Sequence, residues 1–437
     1  MRTRLPLSSR QTGSARHLRI SVLAVCCLAS FEARATLGIY EHGSGIKSLG
    51  YGGVSYVGIE ETTAISANPA AAILLGDRFD IGSDMLEIKS QTSVDGNAAG
   101  PDQSFPCDVR HLFPIPQAGV TLSLPGRWAV GIAALGAGIG PDYSHSPYAR
   151  FASPAQAQAS ASAETSLKVI GLSLIAAHEL FPGQSVGAGL NLQHESLTLR
   201  GADPFAALSE APAYVTDVGN HGALGMGVTF GWSGRIMPWL SGGLSYRSPT
   251  WAHRIGEYSG LLPDHGRLNL PAIYGGGVEF RPAAQWTVAL EFQRYDYKGT
   301  HAFGNSLDKV FEGYPLGSSN GPGFGWNSQN VSKLGLSYQA LPQLSLRAGF
   351  IYANQIIARS QTLFAPLAPA TSTLHYTAGL SYAINQAAEL SGYAALAPGR
   401  TVYGHNSIPA AFGGGEVNTE FRGITYGLTY GQRFGKL

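Results

Sequence analysis

Trp286-Thr287-Val288-Ala289-Leu290-Glu291-Phe292-Gln293 alternates without a break: Trp286, Val288, Leu290 and Phe292 fall on one side of an extended chain, Thr287, Ala289, Glu291 and Gln293 on the other. Helical spacing would scatter both sets, whereas a strand sends alternate residues to opposite faces. The rhythm returns in Leu334, Leu336, Tyr338; in Leu344, Leu346, Ala348, Phe350, Tyr352; in Tyr376, Ala378, Leu380, Tyr382, Ile384; and in Leu224, Met226, Val228, Phe230, Trp232. Extended outward, the pattern predicts strands near 79–91, 115–124, 128–140, 165–178, 185–199, 222–234, 239–252, 271–281, 286–297, 331–339, 344–354, 375–385, 389–397 and 421–434. That is about fourteen, an even number, each near the ~9 to 11 residues that a tilted membrane strand needs.

The connectors give the architecture. Pro125-Gly126-Arg127, Phe181-Pro182-Gly183, Arg235-Ile236-Met237-Pro238, Pro282-Ala283-Ala284 and Leu341-Pro342-Gln343 are tight turns, while 92–114, 141–164, 200–221, 253–270, 298–330, 355–374 and 398–420 are long polar or Gly/Pro-rich loops. Short and long alternate. A soluble β-sandwich shares the period but does not sort its loops this way; an outer-membrane barrel does, with short turns in the periplasm and long loops outside. The expected fold is therefore an all-β transmembrane antiparallel barrel over 79–437.

Composition agrees. Of 437 residues 44% are hydrophobic and only 13% charged, against roughly a quarter charged in average soluble domains. Lys+Arg of 29 against Asp+Glu of 28 leaves no electrostatic footprint for nucleic acid. Arg2, Arg4, Arg10, Arg16 and Arg19 precede the apolar stretch 20–30, and Ala33-Arg34-Ala35 supplies a small-x-small cleavage site. Residues 1–35 thus read as a secretory signal peptide of a Gram-negative outer-membrane protein. Cys26 and Cys27 lie within it, so Cys107 alone remains and neither a disulfide framework nor a cysteine metal site is expected.

Residues 36–78 do not alternate. They carry Gly43, Gly45, Gly50, Gly52, Gly53 and Gly58, with Leu49, Tyr51, Val54, Tyr56, Val57, Ile59, Leu74 and Leu75 among them. The lumen of a fourteen-stranded barrel is too wide for its own side chains to fill, and a segment of this size suits the space. A disordered tail is the competing reading; the embedded apolar residues oppose it.

This small-residue stretch runs into Asn68-Pro69-Ala70, and there the sequence resembles the FadL/TodX-like family of outer-membrane transporters for long-chain fatty acids and aromatic hydrocarbons, whose N-terminal hatch carries an Asn-Pro-Ala motif. Leu270-Pro271-Ala272 leading into 275–281 and 286–297, and Trp326 followed by 333–339 and 344–352, agree with it. Ala71 departs from the Gly that often follows the motif, and the chain ends Phe434-Gly435-Lys436-Leu437, so that Phe434 stands in for the terminal aromatic read by the barrel-assembly machinery. The resemblance implies a monomer embedded in outer-membrane lipid and lipopolysaccharide, passively importing a hydrophobic small molecule. Ligand would be caught among surface loops, pass to an apolar lumen pocket and leave sideways at a kinked third strand. Gly131, Gly136 and Gly138 mark where such a kink would fall, or only the general abundance of Gly. Phe205, Leu208, Leu261 and Leu262 are apolar loop residues that would form the receiving groove, or simply pack among themselves.

Chemical signatures are few. Gly183-Gln184-Ser185-Val186-Gly187 matches a nucleophile-elbow pattern, but reads as a turn opening a strand, not as a strand-to-helix elbow. The histidines are dispersed, with no zinc-type spacing. The sequence reads as a conduit and not as an enzyme, without cofactor or metal; an extracellular Asp/His or Ser/His site assembled from distant loops is the one arrangement on which chain spacing is silent. The alternative function is a general diffusion porin or a structural or adhesive surface barrel. A plugged lumen would set the conduit apart from these.

Overall fold

The structure, a computed structural model, describes residues 37–107 and 113–435. The expected signal peptide lies outside these. Fourteen long strands form the wall: β1 Arg78–Asp95, β2 Phe113–Leu124, β3 Trp128–Ile139, β4 Ala163–Phe181, β5 Gln184–Arg200, β6 His221–Met237, β7 Leu240–Arg247, β8 Ile273–Ala283, β9 Trp286–Tyr295, β10 Gln329–Leu341, β11 Leu344–Ala353, β12 Leu374–Ala383, β13 Ala388–Val402 and β14 Glu416–Arg433. Each pairs antiparallel with its chain neighbours, and β1 closes on β14 from Arg78↔Arg433 to Asp95↔Glu416. No helix among the described residues is long and apolar enough to cross a membrane.

The alternation read from sequence is the radial direction of the wall. On β9, Leu290 is 55% and Phe292 50% exposed to what would be lipid, while Ala289, Glu291 and Gln293 are buried inside. Leu224, Met226, Phe230, Leu244, Tyr352, Tyr376, Leu396 and Leu428 continue the outer apolar belt. Several strands outrun the expected length, up to 19 residues in β4, and so project beyond a bilayer. The stretch expected as one strand over 239–252 is interrupted after Arg247: Trp251–Ala252 pairs with β6 again only past Pro249, which has no N–H to give the ladder.

Short connectors such as 182–183 and 342–343 lie at one end and long loops at the other. The long loops are ordered around an aromatic core of their own. Trp326 meets Tyr297 edge-on at 5.1 Å, and Phe205 meets Tyr148 and Phe364 edge-on, each at 5.0 Å.

Residues 37–77 fold as short helical turns, including Ile46–Gly50, Thr62–Ser66 and Pro69–Ala71. Of the apolar residues expected to pack, Leu49, Tyr51, Val54, Tyr56, Val57, Ile59 and Leu75 are buried; Leu74 is the exception, at 57% exposed. The segment touches wall on all sides. A side chain at Gly119, Gly187, Gly231, Gly243, Gly335, Gly379 or Gly427, on seven different strands, would collide with it. At Gly187 a Cβ would come within 2.5 Å of the Ala70 nitrogen, so only glycine lets the two backbones meet there.

Candidate functional site

Asn68, Pro69 and Ala70 sit at the short-turn end, against β5 and β6. The Asn68 side chain caps the turn that follows, accepting from the Ala70 amide at 3.2 Å, while its own Nδ2 donates to Tyr56 O at 2.9 Å and Trp232 O at 3.0 Å. Pro69 takes the first helical position, where a missing N–H costs nothing. Ala70 is small because Gly187 lies against it. Ser185, the serine of the elbow-like pattern, donates from Oγ to Ala70 O at 3.0 Å and stands on β5, with no helix after it. Its role is to hold the segment.

Buried charges fasten the rest. Glu291 accepts from the amides of Ser55 at 2.9 Å and Tyr56 at 2.6 Å, and Lys333 donates to Gly53 O at 2.6 Å and to Gln293 at 2.9 Å. Asp80 accepts from both the amide and hydroxyl of Thr62 at 2.8 Å. Arg347 pairs with Glu60, and Glu389 pairs with both Lys47 and Arg78. Glu60 is half exposed within the lumen, and the Arg347 and Lys47 cations beside it hold its carboxyl down at about 2.

The wall is not sealed everywhere. The β2–β3 ladder runs from Leu124↔Trp128 only to Ala118↔Ala134. Beyond that, β2 stays paired to β1 as far as Phe113 and β3 stays paired to β4 as far as Ile139, but the two no longer pair with each other. Sequence supplies the cause: Pro114 and Pro116 remove two donors from the part of β2 that leaves β3. Gly131 lies below the parting, where Ile65 of the N-terminal segment packs against it. Gly136 and Gly138 lie above it; the Gly138 amide donates to Ile39 O at 3.1 Å, and Gly136 lines a cavity of about 100 Å³ that runs from lumenal Gln193, Arg247 and Lys333 to the freed β3 edge. A proline pair within one strand is the sequence signal of such an unpaired edge.

A second cavity, about 60 Å³, lies under the long loops. Among the described residues Thr165 is the only polar side chain lining it; the rest include Ile139 at the top of β3, Leu197, Leu261, Leu262, Phe303, Phe324 and Leu367. Of the expected groove residues, Leu261 and Leu262 line this space. Phe205 is buried in the aromatic core beside it, and Leu208 packs against the same core.

A closed, lipid-facing barrel with its interior occupied and an apolar chamber under ordered loops defines an outer-membrane transport barrel. The chain belongs to the family described as outer membrane protein transport protein (OMPP1/FadL/TodX), whose model matches residues 25–434. Solved structures with the same fold include the P. putida toluene transporter TodX, at 17% identity and a TM-score of 0.66, covering 92% of this chain and 100% of that one. A Pseudomonas aeruginosa FadL homologue aligns at 15% identity and a TM-score of 0.63, covering 93% and 100%. The Ralstonia pickettii toluene transporter TbuX aligns at 17% identity and a TM-score of 0.62, covering 90% and 99%. No curated protein matches the chain in sequence.

Proposed function

We propose that this outer-membrane transporter passively admits fatty acids or aromatic hydrocarbons through the chamber under its loops and releases them sideways between β2 and β3, with residues 37–77 acting as a hatch. The observation that carries the reading is the chamber lined by a single polar side chain, Thr165. Such a lining favours an apolar solute over water and over ions, because the solute sheds its hydration cost while an ion would lose its solvation. The parting of β2 from β3 supports a lateral exit, since an apolar solute leaving there enters lipid without crossing water. Interior Glu291, Lys333, Arg347 and Glu389 are engaged with the hatch, which argues against the charged constriction of a diffusion porin. A carboxylate set into the chamber tests this: Leu262→Asp should lower both binding of a labelled fatty acid or alkylbenzene and its uptake by about tenfold or more. Wild-type binding and uptake in that variant would refute the route.

A further inference from the structure

The three long loops that follow β5, β7 and β9 are laced together by their backbones. Leu316 N donates to Leu208 O at 2.9 Å and Glu210 N to Leu316 O at 3.1 Å, while Asp264 N donates to Ser318 O at 3.1 Å and His265 N to Gly317 O at 2.8 Å. These bonds hold residues 316–318 between the other two loops, and at their edge three side chains converge. Ser319 Oγ lies 3.3 Å from His265 Nε2, and His265 Nδ1 lies 2.6 Å from Glu210 Oε1. An ionised carboxylate only accepts, so the Nδ1 nitrogen facing it carries the proton and Nε2 is left to accept from the serine hydroxyl. Hydroxyl, imidazole and carboxylate stand in the order and on the ring nitrogens that nucleophilic acyl transfer requires.

The backbone at the imidazole is unusual. Asp264 and His265 both have left-handed φ, 55° and 58°, the only consecutive non-glycine pair to do so among the described residues. Strain of this kind persists where surrounding bonds over-determine it, and here Asp264 is also held by His301 Nδ1 at 2.8 Å. Among the described residues the main-chain amides of Ser319 and Asn320 make no hydrogen bond within the protein, so both are open to donate to solvent or to a bound group. His265 is 43% and Glu210 31% exposed, so water and substrate reach the group. The apolar chamber is adjacent in both loops: Leu262 and Pro263 precede His265 closely, and Leu316 and Pro322 flank Ser319.

We propose that Ser319, His265 and Glu210 form a serine-hydrolase site that cleaves esters of apolar carboxylic acids at the long-loop end of the barrel. Ser319 Oγ forms a bond to the ester carbonyl carbon and passes its proton to His265 Nε2. The carbon–oxygen bond to the alcohol breaks, and the alcohol leaves with that proton. Water then attacks the acyl-serine, gives a proton to Nε2, and the Ser319 Oγ–carbon bond breaks as that proton returns to Oγ, releasing the carboxylic acid beside the chamber. Glu210 is a positioning residue in this scheme. The site goes beyond the transport reading and does not depend on it.

The test uses the full chain purified from outer membranes in detergent, with p-nitrophenyl octanoate as the ester. Ser319→Ala and His265→Ala, prepared identically, should lose at least about 100-fold in turnover. Glu210→Ala should lower kcat with little change in KM, and Glu210→Asp should recover part of it. Independently of any variant, a fluorophosphonate should add to Ser319 of the wild-type chain, as read by peptide mass. Equal hydrolysis by wild type and Ser319→Ala, or no adduct on Ser319, overturns the proposal.

Discussion

Asn68 joins three parts of the molecule through one amide: it caps its own turn, holds Tyr56 and reaches Trp232 on the wall. A short motif can therefore mark a whole segment, because few side chains offer both an acceptor for a helical turn and two donors for carbonyls. Glu61, in the same segment, gives a pH-dependent counterpart. Burial, and then Asp80, push its carboxyl up to about 7 against the opposing pull of Lys47 and the amides of Ser48 and Lys47. A carboxyl raised on folding favours the folded chain most below its ordinary value of 4.5, and that advantage disappears as pH climbs through about 7. Its size is at most on the order of 3 kcal/mol. The difference in thermal midpoint between wild type and Glu61→Gln should therefore change across this window in favour of the variant as pH rises. A difference that stays constant with pH would exclude Glu61 as the source. At this scale the sequence was legible where type and spacing carry the meaning, as in Asn68-Pro69-Ala70. It was silent on Leu74, whose apolar character gave no hint that it faces outward.

Among elements, the strands were readable because lipid outside and a polar filled interior impose opposite demands on alternate residues; Leu290 and Glu291 on β9 answer them in turn. What the period does not report is whether two strands that both alternate are bonded to each other. β2 and β3 each keep a full partner on one side and lose the shared one above Ala118↔Ala134. The prolines of β2 mark the parting more directly than the glycines of β3, because a proline removes a ladder donor and a glycine does not. Pro114→Val with Pro116→Val restores two donors and should extend the β2–β3 ladder, lowering uptake of a labelled hydrocarbon severalfold while the barrel still shows the heat-modifiable gel mobility of a folded wall. Gly136→Val with Gly138→Val, on the opposite edge, should act in the same direction. Undiminished uptake in both double variants would mean that solute leaves elsewhere.

The molecule as a whole is a wall, a filling and a cap, and its contents decide its electrical behaviour. Interior Lys333, Glu291, Arg347 and Glu389 all face partners on or beside residues 37–77. The purified chain in planar bilayers should accordingly pass no large steady ion current. Large currents indifferent to hydrophobic solutes would return the chain to the general diffusion porins. Barrel, orientation and filling could be reasoned from hairpin rhythm and one motif, but the meeting of Glu210, His265 and Ser319 could not. They lie 55 and 54 positions apart, on three loops whose mutual lacing depends on backbone bonds that leave no trace in residue type.

The bare backbone that the wall presents at Gly187, Gly231 and five further strands also sets an order of events. Contacts that run round the whole circumference can be completed only when the circumference itself is complete, so joining β1 to β14 also encloses residues 37–77. Loading the lumen and closing the seam should then coincide during assembly. A variant unable to seat its N-terminal segment should be lost to the cell as an unassembled chain, and should not be found in the membrane as an open hole.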